Sequence, residues 1–375
     1  MVVGESFHFI TSILLWGIVL LSLGLVGYWL YLLVVVGRRT ESRPIEHEPE
    51  AVQVRILTID SESVVQEAVN AIPESVTDRH VIAEAPLSID GATVHVVPDS
   101  FDCDAIRKGR ALEWARRNVP CSREFVLYLD EDTDMSTFTG LPDADVIQFR
   151  ERPWRTGSLL CYLAELYRMG AQLEQRAFPS LAVPLYAWGG GIAIRQSIED
   201  RVTWDRPSII EDTTFVWDAA GAIDDLEFAV ASDQFRTQAP PTIRALIGQR
   251  RRWFAGSWQN AGQLSAGYRA ITTFRNLAWA VSAIVPLIML LPTVAPDTVI
   301  FGTVFEELSV LIVVALMVWI LLGVRYHDES IPIAVLSVVL LPLVSVLHSV
   351  GAFVGLLVPP RTFSVTEKVD PPAQQ

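Results

Sequence analysis

Lysine is almost missing from this chain of 375 residues: it occurs only at Lys108 and Lys368, and the formal net charge is −14. A protein this acidic is a poor match for nucleic acid, so we exclude nucleic acid as a partner. An acidic, lysine-poor surface stays hydrated in concentrated salt, and a halophilic source is one interpretation. A GC-rich genome that replaces lysine by arginine is the other.

Cysteine is scarce as well. The three cysteines, Cys103, Cys121 and Cys161, lack the regular spacing of a disulfide framework or a zinc site. We therefore interpret them as buried apolar residues. The sequence also contains no internal repeat and no Gly-rich phosphate-binding loop, so it matches neither a repeat protein nor a P-loop enzyme.

Apolar residues, by contrast, are abundant: 51% of the chain is hydrophobic and the mean hydropathy is +0.35. Residues 10–36 form 27 positions without a charge, which is enough for a membrane-spanning helix and too long for the core of a signal peptide. Further apolar stretches cover 277–291, 308–324 and 331–358, the last interrupted by Pro342. The sequence predicts a multi-pass protein of the cell membrane, in contact with membrane lipid.

Basic residues near the apolar stretches set the expected orientation. They follow the first stretch and precede the second, at Arg38, Arg39, Arg43, Arg269 and Arg275, whereas the loop with Asp297, Glu306 and Glu307 has none. Positive charge favours the cytoplasmic side. The predicted parts are an N-terminal transmembrane helix (1–37), a cytoplasmic domain (50–265), C-terminal transmembrane helices (270–358) and a tail (359–375).

Strand and helix patterns alternate in the polar block. Strands are predicted over 52–59, 79–84, 93–97 and 124–129, and helices over 63–72 and 104–118. This order predicts an α/β domain with a mostly parallel sheet and crossover helices. In such sheets the ligand binds beyond the carboxyl ends of the strands, where Thr58, Glu84 and Asp130 would lie.

Carboxylates follow one buried strand directly. The apolar run 125–129 ends at Asp130, Glu131 and Asp132. Asp130 and Asp132 are suited to a hard cation, Mg²⁺ or Mn²⁺, whose remaining ligands would be phosphate oxygens of a nucleotide. A solvated turn after the strand is the alternative, because aspartate is favoured in turns.

Two further motifs follow along the chain. Glu211 and Asp212 offer a candidate general base with a neighbour that positions it, or else form an N-terminal helix cap, where the helix dipole favours negative charge. Gln249, Arg252 and Trp253 offer contacts to phosphate and sugar, or else belong to a basic amphipathic helix at the membrane surface.

These motifs, in this order and within one polar block between apolar segments, resemble those of the membrane-bound glycosyltransferases of family 2, the group of cellulose, hyaluronan and chitin synthases. The resemblance implies a Rossmann-like nucleotide-sugar-binding domain of the GT-A type. It also implies inverting transfer of a hexose, with Asp212 as base beside Glu211 and a metal on Asp130 and Asp132. Arg252 would bind the leaving diphosphate, and Gln249 and Trp253 the acceptor sugar.

The resemblance extends to five more positions. Lys108 lies in a segment similar to the family's Lys-x-Gly-x-Leu, which implies a place beside the donor nucleotide, although the glycine here follows the lysine directly. Trp188, Gly189 and Gly190 resemble the family's Gly-rich stretch, where a sugar would approach the backbone; a loose loop or a kink in a strand is the alternative. Glu84 stands where the family usually has an aspartate near the nucleobase.

The tail carries a last match. Residues 363–368 fit the Phe-x-Val-Thr-x-Lys gating segment of cellulose synthases, so Thr366 and Lys368 would close over the donor diphosphate. Three single crossings after a cytoplasmic domain would leave this tail outside. Either one stretch is re-entrant or interfacial, with Pro342 as the expected place, or the tail is not a gate.

Within the family, the short chain with one leading helix is most similar to the egghead-type β-mannosyltransferases. This implies a nucleotide-diphosphate sugar as donor and a glycan or lipid-linked acceptor, with processive polysaccharide synthesis as an option. Two alternatives stay open. One is a polyprenyl-phosphate monosaccharide transferase, and the other is a membrane protein that binds nucleotide-sugar without turnover.

Overall fold

The computed structural model describes residues 2–38, 43–288, 299–360, 366 and 368–370. Arg39, Asp297, residues 289–291 of the second apolar stretch, and residues 363–365 and 367 of the gate-like motif lie outside the described residues. The chain forms two compact units. We call Met1–Val36, Gly157–Glu174 and Pro240–Thr366 the helical unit, and Gly37–Thr156, Gln175–Ala239 and Glu367–Gln375 the sheet unit.

The sheet unit is built on seven strands: β1 Val52–Thr58, β2 Asp78–Ala83, β3 Thr93–Val96, β4 Phe125–Asp130, β5 Val146–Trp154, β6 Ile192–Arg195 and β7 Phe228–Gln238. They form one sheet in the order β3-β2-β1-β4-β6-β5-β7. Only β6 runs antiparallel to its neighbours β4 and β5, and the other four pairings are parallel. The α/β class expected from the sequence is confirmed.

Among its described residues, the sheet unit has the α-helices α2 Glu62–Asn70, α3 Lys108–Asn118, α5 Gln196–Glu199 and α6 Glu211–Ala222. Helices α2 and α3 lie in the connections between strands of the parallel half, as the alternating pattern predicts. The predicted strands are found within one residue at either end. Helix α3 begins at Lys108 rather than at residue 104, which puts the lysine in its first turn.

Strand β1 is buried along its whole length, although it carries three polar side chains, Gln53, Arg55 and Thr58. The guanidinium of Arg55 donates to the Tyr128 hydroxyl at 2.8 Å and lies 3.5 Å from the Glu199 carboxylate. A buried charge is tolerated only when it is paired and hydrogen-bonded, so this network fixes β1 and β4 against α5. Cys161 is buried as expected, whereas Cys103 and Cys121 are only partly buried.

The helical unit contains α1 Val2–Leu30, continued by a π-helix Tyr31–Val36, then α4 Leu159–Ala171, α7 Ile243–Asn260, α8 Ala266–Val281, α9 Val285–Ile288, α10 Gly302–Tyr326, α11 Ile331–Val339 and α12 Leu341–Leu357. Among the described residues, two helices are long and apolar enough to cross a membrane, His8–Val36 and Gly302–Tyr326. The pair α11 and α12 would give a third span if counted together.

Helices α11 and α12 meet at a bend of 70°. Pro342 stands in the first turn of α12, where its missing N–H leaves no helical bond unmade. The break therefore falls where the sequence places the interruption of the last apolar stretch. A sharply bent pair is compatible with a broken span or with a re-entrant segment.

Helices α4 and α10 touch through their backbones. A Cβ added at Gly170 would overlap the carbonyl oxygen of Trp319, and one added at Gly323 would overlap that of Leu166. Small residues allow this approach between helices in apolar surroundings. Through this contact α4, which lies within the predicted cytoplasmic domain in sequence, becomes part of the helical unit.

Candidate active site

One ammonium group lies among three carboxylates in the sheet unit. Lys108 Nζ is 2.7 Å from Asp130 Oδ1, 3.4 Å from Asp212 Oδ1 and 3.6 Å from Glu211 Oε1. The four residues come from the start of α3, the end of β4 and the start of α6. Because the ligand edge of a parallel sheet collects strand ends and helix starts, the structure brings together residues that lie up to 104 positions apart.

The turn interpretation of Asp130 to Asp132 is correct as local structure, whereas Glu211 and Asp212 are the first two residues inside the helix and do not form its cap, which falls at Ile210. Thr133 N–H donates to Asp130 O at 3.1 Å, which closes a turn directly after β4. Glu211 and Asp212 stand in the first turn of α6, where no side-chain cap bond is made. The helix dipole favours their charge there. Both carboxylates nevertheless lie near Lys108, so the local roles do not exclude a chemical one.

Asp212 is held in a setting that changes its acidity. Burial is the largest influence, and the charges of Glu211 and Asp130 add to it, while Lys108 opposes it; together they raise the pKa of Asp212 to about 7. Burial alone lowers the pKa of Lys108, but Asp130, Asp212 and Glu211 outweigh it and raise that pKa above its usual range. Lys108 therefore stays an ammonium, and Asp212 is able to accept a proton near neutral pH.

The backbone of the Gly-rich stretch lies against Asp212. A Cβ added at Gly189 would overlap both carboxylate oxygens of Asp212, and one at Gly190 would overlap the Trp188 ring. The Gln148 side chain fixes this stretch, because it accepts from Trp188 N–H at 2.8 Å and donates to Gly191 O at 2.8 Å. The stretch is therefore a well-bonded wall of the site.

We expect Gly189→Ala to lower catalytic activity by at least about 10-fold, since a displacement of a reacting group by about 1 Å costs up to roughly 10²-fold. The added methyl group must push the Asp212 carboxylate away from Lys108. Gly221→Ala is the matched control, because a Cβ at Gly221 of α6 meets no atom within 4 Å. Steady-state rates of both variants, with their thermal unfolding, measure the effect. Wild-type activity of Gly189→Ala would show that the close approach of Gly189 to the Asp212 carboxylate does not contribute to catalysis.

Both carboxylate oxygens of Asp132 have a partner within the protein. Its Oδ2 accepts from the backbone N–H of Gln238 at 2.8 Å, and its Oδ1 lies 2.6 Å from Lys368 Nζ. Next to it, Glu131 accepts from the Thr58 hydroxyl at 2.6 Å, and burial raises the pKa of Glu131. Thr58 thus lies at the predicted edge of the sheet, but its hydroxyl is directed at Glu131.

The residues at this edge fit a divalent cation. The described residues include no group of three or more His, Cys, Asp or Glu side chains that could hold a metal ion. Asp130 and Asp132 nevertheless each hold an ammonium cation, from Lys108 and Lys368 respectively. Two hard carboxylates, with phosphate oxygens as further ligands, are a donor set for Mg²⁺ or Mn²⁺.

Glu84 follows β2 at the same edge, where its N–H donates to Thr58 O at 3.3 Å. Its carboxylate pairs with Arg110 Nη1 at 2.7 Å, and the same guanidinium donates to Pro98 O at 2.6 Å. Glu84 is therefore fixed by Arg110, a residue of α3 that the sequence did not mark as functional.

The third motif lies on α7 of the helical unit. Arg250 is fully buried and pairs with Glu165, which also accepts from Arg168 Nε at 2.5 Å. The guanidinium carbons of Arg250 and Arg168 lie 4.4 Å and 5.5 Å from the centre of the Trp253 ring. A buried arginine cannot belong to the polar face of a surface helix, so the membrane-surface interpretation does not hold for Arg250.

The other two motif residues have partners within the same unit. Gln249 Oε1 accepts from Arg250 Nη1 at 2.6 Å, and Arg252 Nη2 donates to the Thr366 hydroxyl at 3.3 Å. Glu165, Gln148 and Gln238 were not predicted from the sequence. They are single amide or acid side chains outside any motif, and no periodic or spacing signal marks them.

Comparisons with known proteins give the family. The profile described as glycosyl transferase family group 2 matches residues 125–327. No curated protein sequence matches the chain significantly. Among solved structures, a mannosyltransferase from Pyrobaculum calidifontis in complex with GDP-Man and Mn²⁺ has 14% sequence identity and a TM-score of 0.49, over 95% of this chain and 99% of that one.

Glucosyl-3-phosphoglycerate synthase from Mycobacterium tuberculosis is another similar structure. Its complex with phosphoglyceric acid has 14% identity and a TM-score of 0.36, and its complex with Mn²⁺, UDP and glucosyl-3-phosphoglycerate has 15% and 0.35. Each alignment covers 58% of this chain and 84% of the synthase. The family profile spans more than half of the chain, from β4 to the end of α10 and including Asp130 and Asp212. The chain therefore belongs to glycosyl transferase family group 2, and it is a glycosyltransferase with the GT-A type of fold.

Proposed function

We propose that this glycosyltransferase is embedded in the membrane and moves a hexose, with inversion, from a nucleotide-diphosphate sugar to a glycan or lipid-linked acceptor. The observation that carries this proposal is the position of Lys108 between Asp130 and Asp212. One cation there touches a residue suited to the donor diphosphate and a residue suited to the acceptor hydroxyl. The arrangement supports a single-displacement reaction at this edge of the sheet.

In the proposed reaction the acceptor hydroxyl oxygen attacks the anomeric carbon from the face opposite the diphosphate. Asp212 Oδ takes the hydroxyl proton as the new C–O bond forms. Glu211, whose carboxylate is 3.6 Å from Lys108, lies beside the base and is one of the groups that raise the pKa of Asp212. The Gly189 backbone positions Asp212, because no side chain stands between them.

The bond between the anomeric carbon and the diphosphate oxygen breaks, and its electron pair stays on that oxygen. Lys108 would neutralise the developing charge, and Arg252 would assist it. Mg²⁺ or Mn²⁺ bound to Asp130 and Asp132 would supply further positive charge to the phosphate oxygens. Thr58 and Glu84, at the ends of β1 and β2, would border the nucleotide.

The acceptor is proposed to lie along the wall formed by Trp188, Gly189 and Gly190, within reach of Asp212. On the strength of the sequence resemblance, Trp253 and Gln249 are proposed to bind the acceptor sugar; within the helical unit, the guanidinium groups of Arg250 and Arg168 lie at the Trp253 ring. Elongation of a polymer and an egghead-type β-mannosyl product are finer proposals that rest on the sequence resemblance.

We further propose that the sheet unit faces the cytoplasm and that the bent pair α11 and α12 does not make a simple crossing. The ion pair between Lys368 and Asp132 supports this topology, because it holds residue 368 of the tail on the sheet unit. The bend of 70° after α11 supports it too. A re-entrant pair lets the tail return to the side of the nucleotide.

The metal assignment is tested with Asp132→Ala. We expect this variant to lose Mn²⁺-dependent donor binding, because one of two carboxylate ligands is removed. Thermal unfolding of the purified full chain, with and without Mn²⁺ and with GDP-mannose or UDP-glucose as probes, measures binding as stabilisation. Asp134→Ala is the control, since this acid lies two positions on and pairs with Arg236. Unchanged Mn²⁺-dependent stabilisation of Asp132→Ala would contradict the assignment.

A further inference from the structure

The residues 368–370 of the tail are seated on the sheet unit by three side chains. Lys368 pairs with Asp132, Asp370 accepts from the Ser63 hydroxyl, and Val369 is bound by Gln238. Consecutive residues are thus each held by a different partner. Neither the seating of Val369 nor a role for Gln238 follows from any sequence motif.

Gln238 binds the backbone of Val369 with both ends of its amide. Its Nε2 donates to Val369 O at 2.7 Å, and its Oε1 accepts from Val369 N–H at 2.8 Å. A side-chain amide that bonds both polar groups of one residue fixes the position of that residue along the chain. Gln238 is itself nearly buried, so its orientation is well defined.

The same residue also orients the carboxylate beneath the tail. The backbone N–H of Gln238 donates to Asp132 Oδ2 at 2.8 Å. Gln238 therefore holds Asp132 with its main chain and Val369 with its side chain, which brings Lys368 Nζ to the remaining oxygen, Asp132 Oδ1, at 2.6 Å. The Asp132 side chain is 1% exposed and that of Lys368 is 18% exposed, so water screens this ion pair only weakly.

We propose that Gln238 is a positioning residue that seats the tail so that the Lys368 ammonium occupies Asp132 when no divalent cation is bound. Tail docking and cation binding then compete for the same carboxylate. The inference rests on the proposed function only in taking Asp132 as a metal ligand. Lys368 is the competitor of the cation, and Gln238 is the residue that places it.

Competition has a measurable consequence. A site that is available for only a fraction of the time binds its ligand with an apparent affinity reduced by that fraction. Release of Lys368 from Asp132 by an arriving cation would also free an ammonium group beside the donor phosphates. Cation binding at Asp132 would thus be coupled to the position of Lys368 and the neighbouring tail residues.

The test is direct Mn²⁺ binding to the purified full chain without nucleotide, followed by the electron paramagnetic resonance signal of free Mn²⁺. We expect Lys368→Met to bind Mn²⁺ about 10-fold more tightly, as for a tail docked roughly 90% of the time. Gln238→Ala should give a similar gain, and the double variant no more than either single one, because both act through the same contact.

Two controls accompany these variants. Lys368→Arg keeps the cation and should bind Mn²⁺ like the wild type. Gln196→Ala removes a glutamine whose amide donates to Asp200 on the surface, and it should change nothing. A purely structural role of Gln238 would lower the unfolding temperature without raising the affinity for Mn²⁺.

Unchanged Mn²⁺ affinity in Lys368→Met would overturn the competition, and a gain in Lys368→Met without one in Gln238→Ala would overturn the role of Gln238. Failure of the metal assignment looks different: Asp132→Ala would then bind Mn²⁺ like the wild type. If neither the wild type nor Lys368→Met binds Mn²⁺ at all, both proposals fall.

Discussion

Asp212→Asn is expected to reduce sugar transfer by at least about 10²-fold, the lower end of what general-base catalysis contributes, while donor and metal binding stay nearly unchanged. The amide keeps the shape of the side chain and its place beside Gly189, but it cannot take the acceptor proton. Single-turnover transfer, measured beside donor binding, separates the chemical step from affinity. Asp218→Asn is the matched control, because Asp218 lies on the same helix and pairs with Arg206. Full turnover of Asp212→Asn would assign the base elsewhere.

The same assignment fixes a pH dependence. Asp212 is active as a base only when deprotonated, and burial raises its pKa to about 7 in the protein without metal. The rate should therefore fall as the pH decreases through the pKa of Asp212. A cation at Asp130 favours the charged form and lowers that pKa, so the acidic limb of the wild-type profile should lie at or below about pH 7. The limb should be absent from the residual activity of Asp212→Asn.

Lys108→Met is expected to lower transfer by roughly 10²- to 10³-fold, the usual cost of removing one group that stabilises charge in the transition state. Donor binding should weaken as well, because the diphosphate loses an ammonium partner. Asp130, Asp212 and Glu211 would face each other without their shared cation, and this repulsion raises the pKa of Asp212 further. The acidic limb should therefore move to higher pH.

Two further variants serve as controls for Lys108→Met. Lys108→Arg keeps the positive charge and should restore donor binding in part, while its longer, planar group fits the three carboxylates less well. Arg117→Lys changes a basic residue in the last turn of the same helix, where the side chain is 40% exposed, and should have no effect. A Lys108→Met enzyme with wild-type kcat and KM would contradict the bridging role.

The core of the site was predictable because strand ends and helix starts carry it. Asp130 ends a strand whose apolar run is plain in the sequence, whereas Lys108 and Asp212, which lie in the first turns of helices, were assigned to the site by the family resemblance. In a parallel sheet such positions converge on one edge. The strand pattern thus placed Thr58, Glu84 and Asp130 at this edge, and it did not predict that Lys108 bridges Asp130 and Asp212.

The rest of the site depends on contacts between distant parts of the chain. The side-chain amides of Gln148 and Gln238 form hydrogen bonds with backbone groups 40 and 131 positions away, and no local sequence pattern marks these two residues. Strands β5, β6 and β7 were not predicted; β6, with four residues, is too short for its period to be recognised. Gly189 was expected to let a sugar approach the backbone. In the structure, the space that its missing Cβ leaves lies against the Asp212 carboxylate.

Release of nucleoside diphosphate tests the central proposal most directly. The purified full chain is incubated with a panel of nucleotide-sugars, Mn²⁺ and membrane lipid extract, and the wild type is compared with Asp212→Asn. We expect acceptor-dependent release of nucleoside diphosphate from at least one donor by the wild type, and its loss in the variant although the variant still binds that donor. Binding of the same donor by both proteins, without release by the wild type in the presence of the extract, would contradict catalysis by Asp212 at this site.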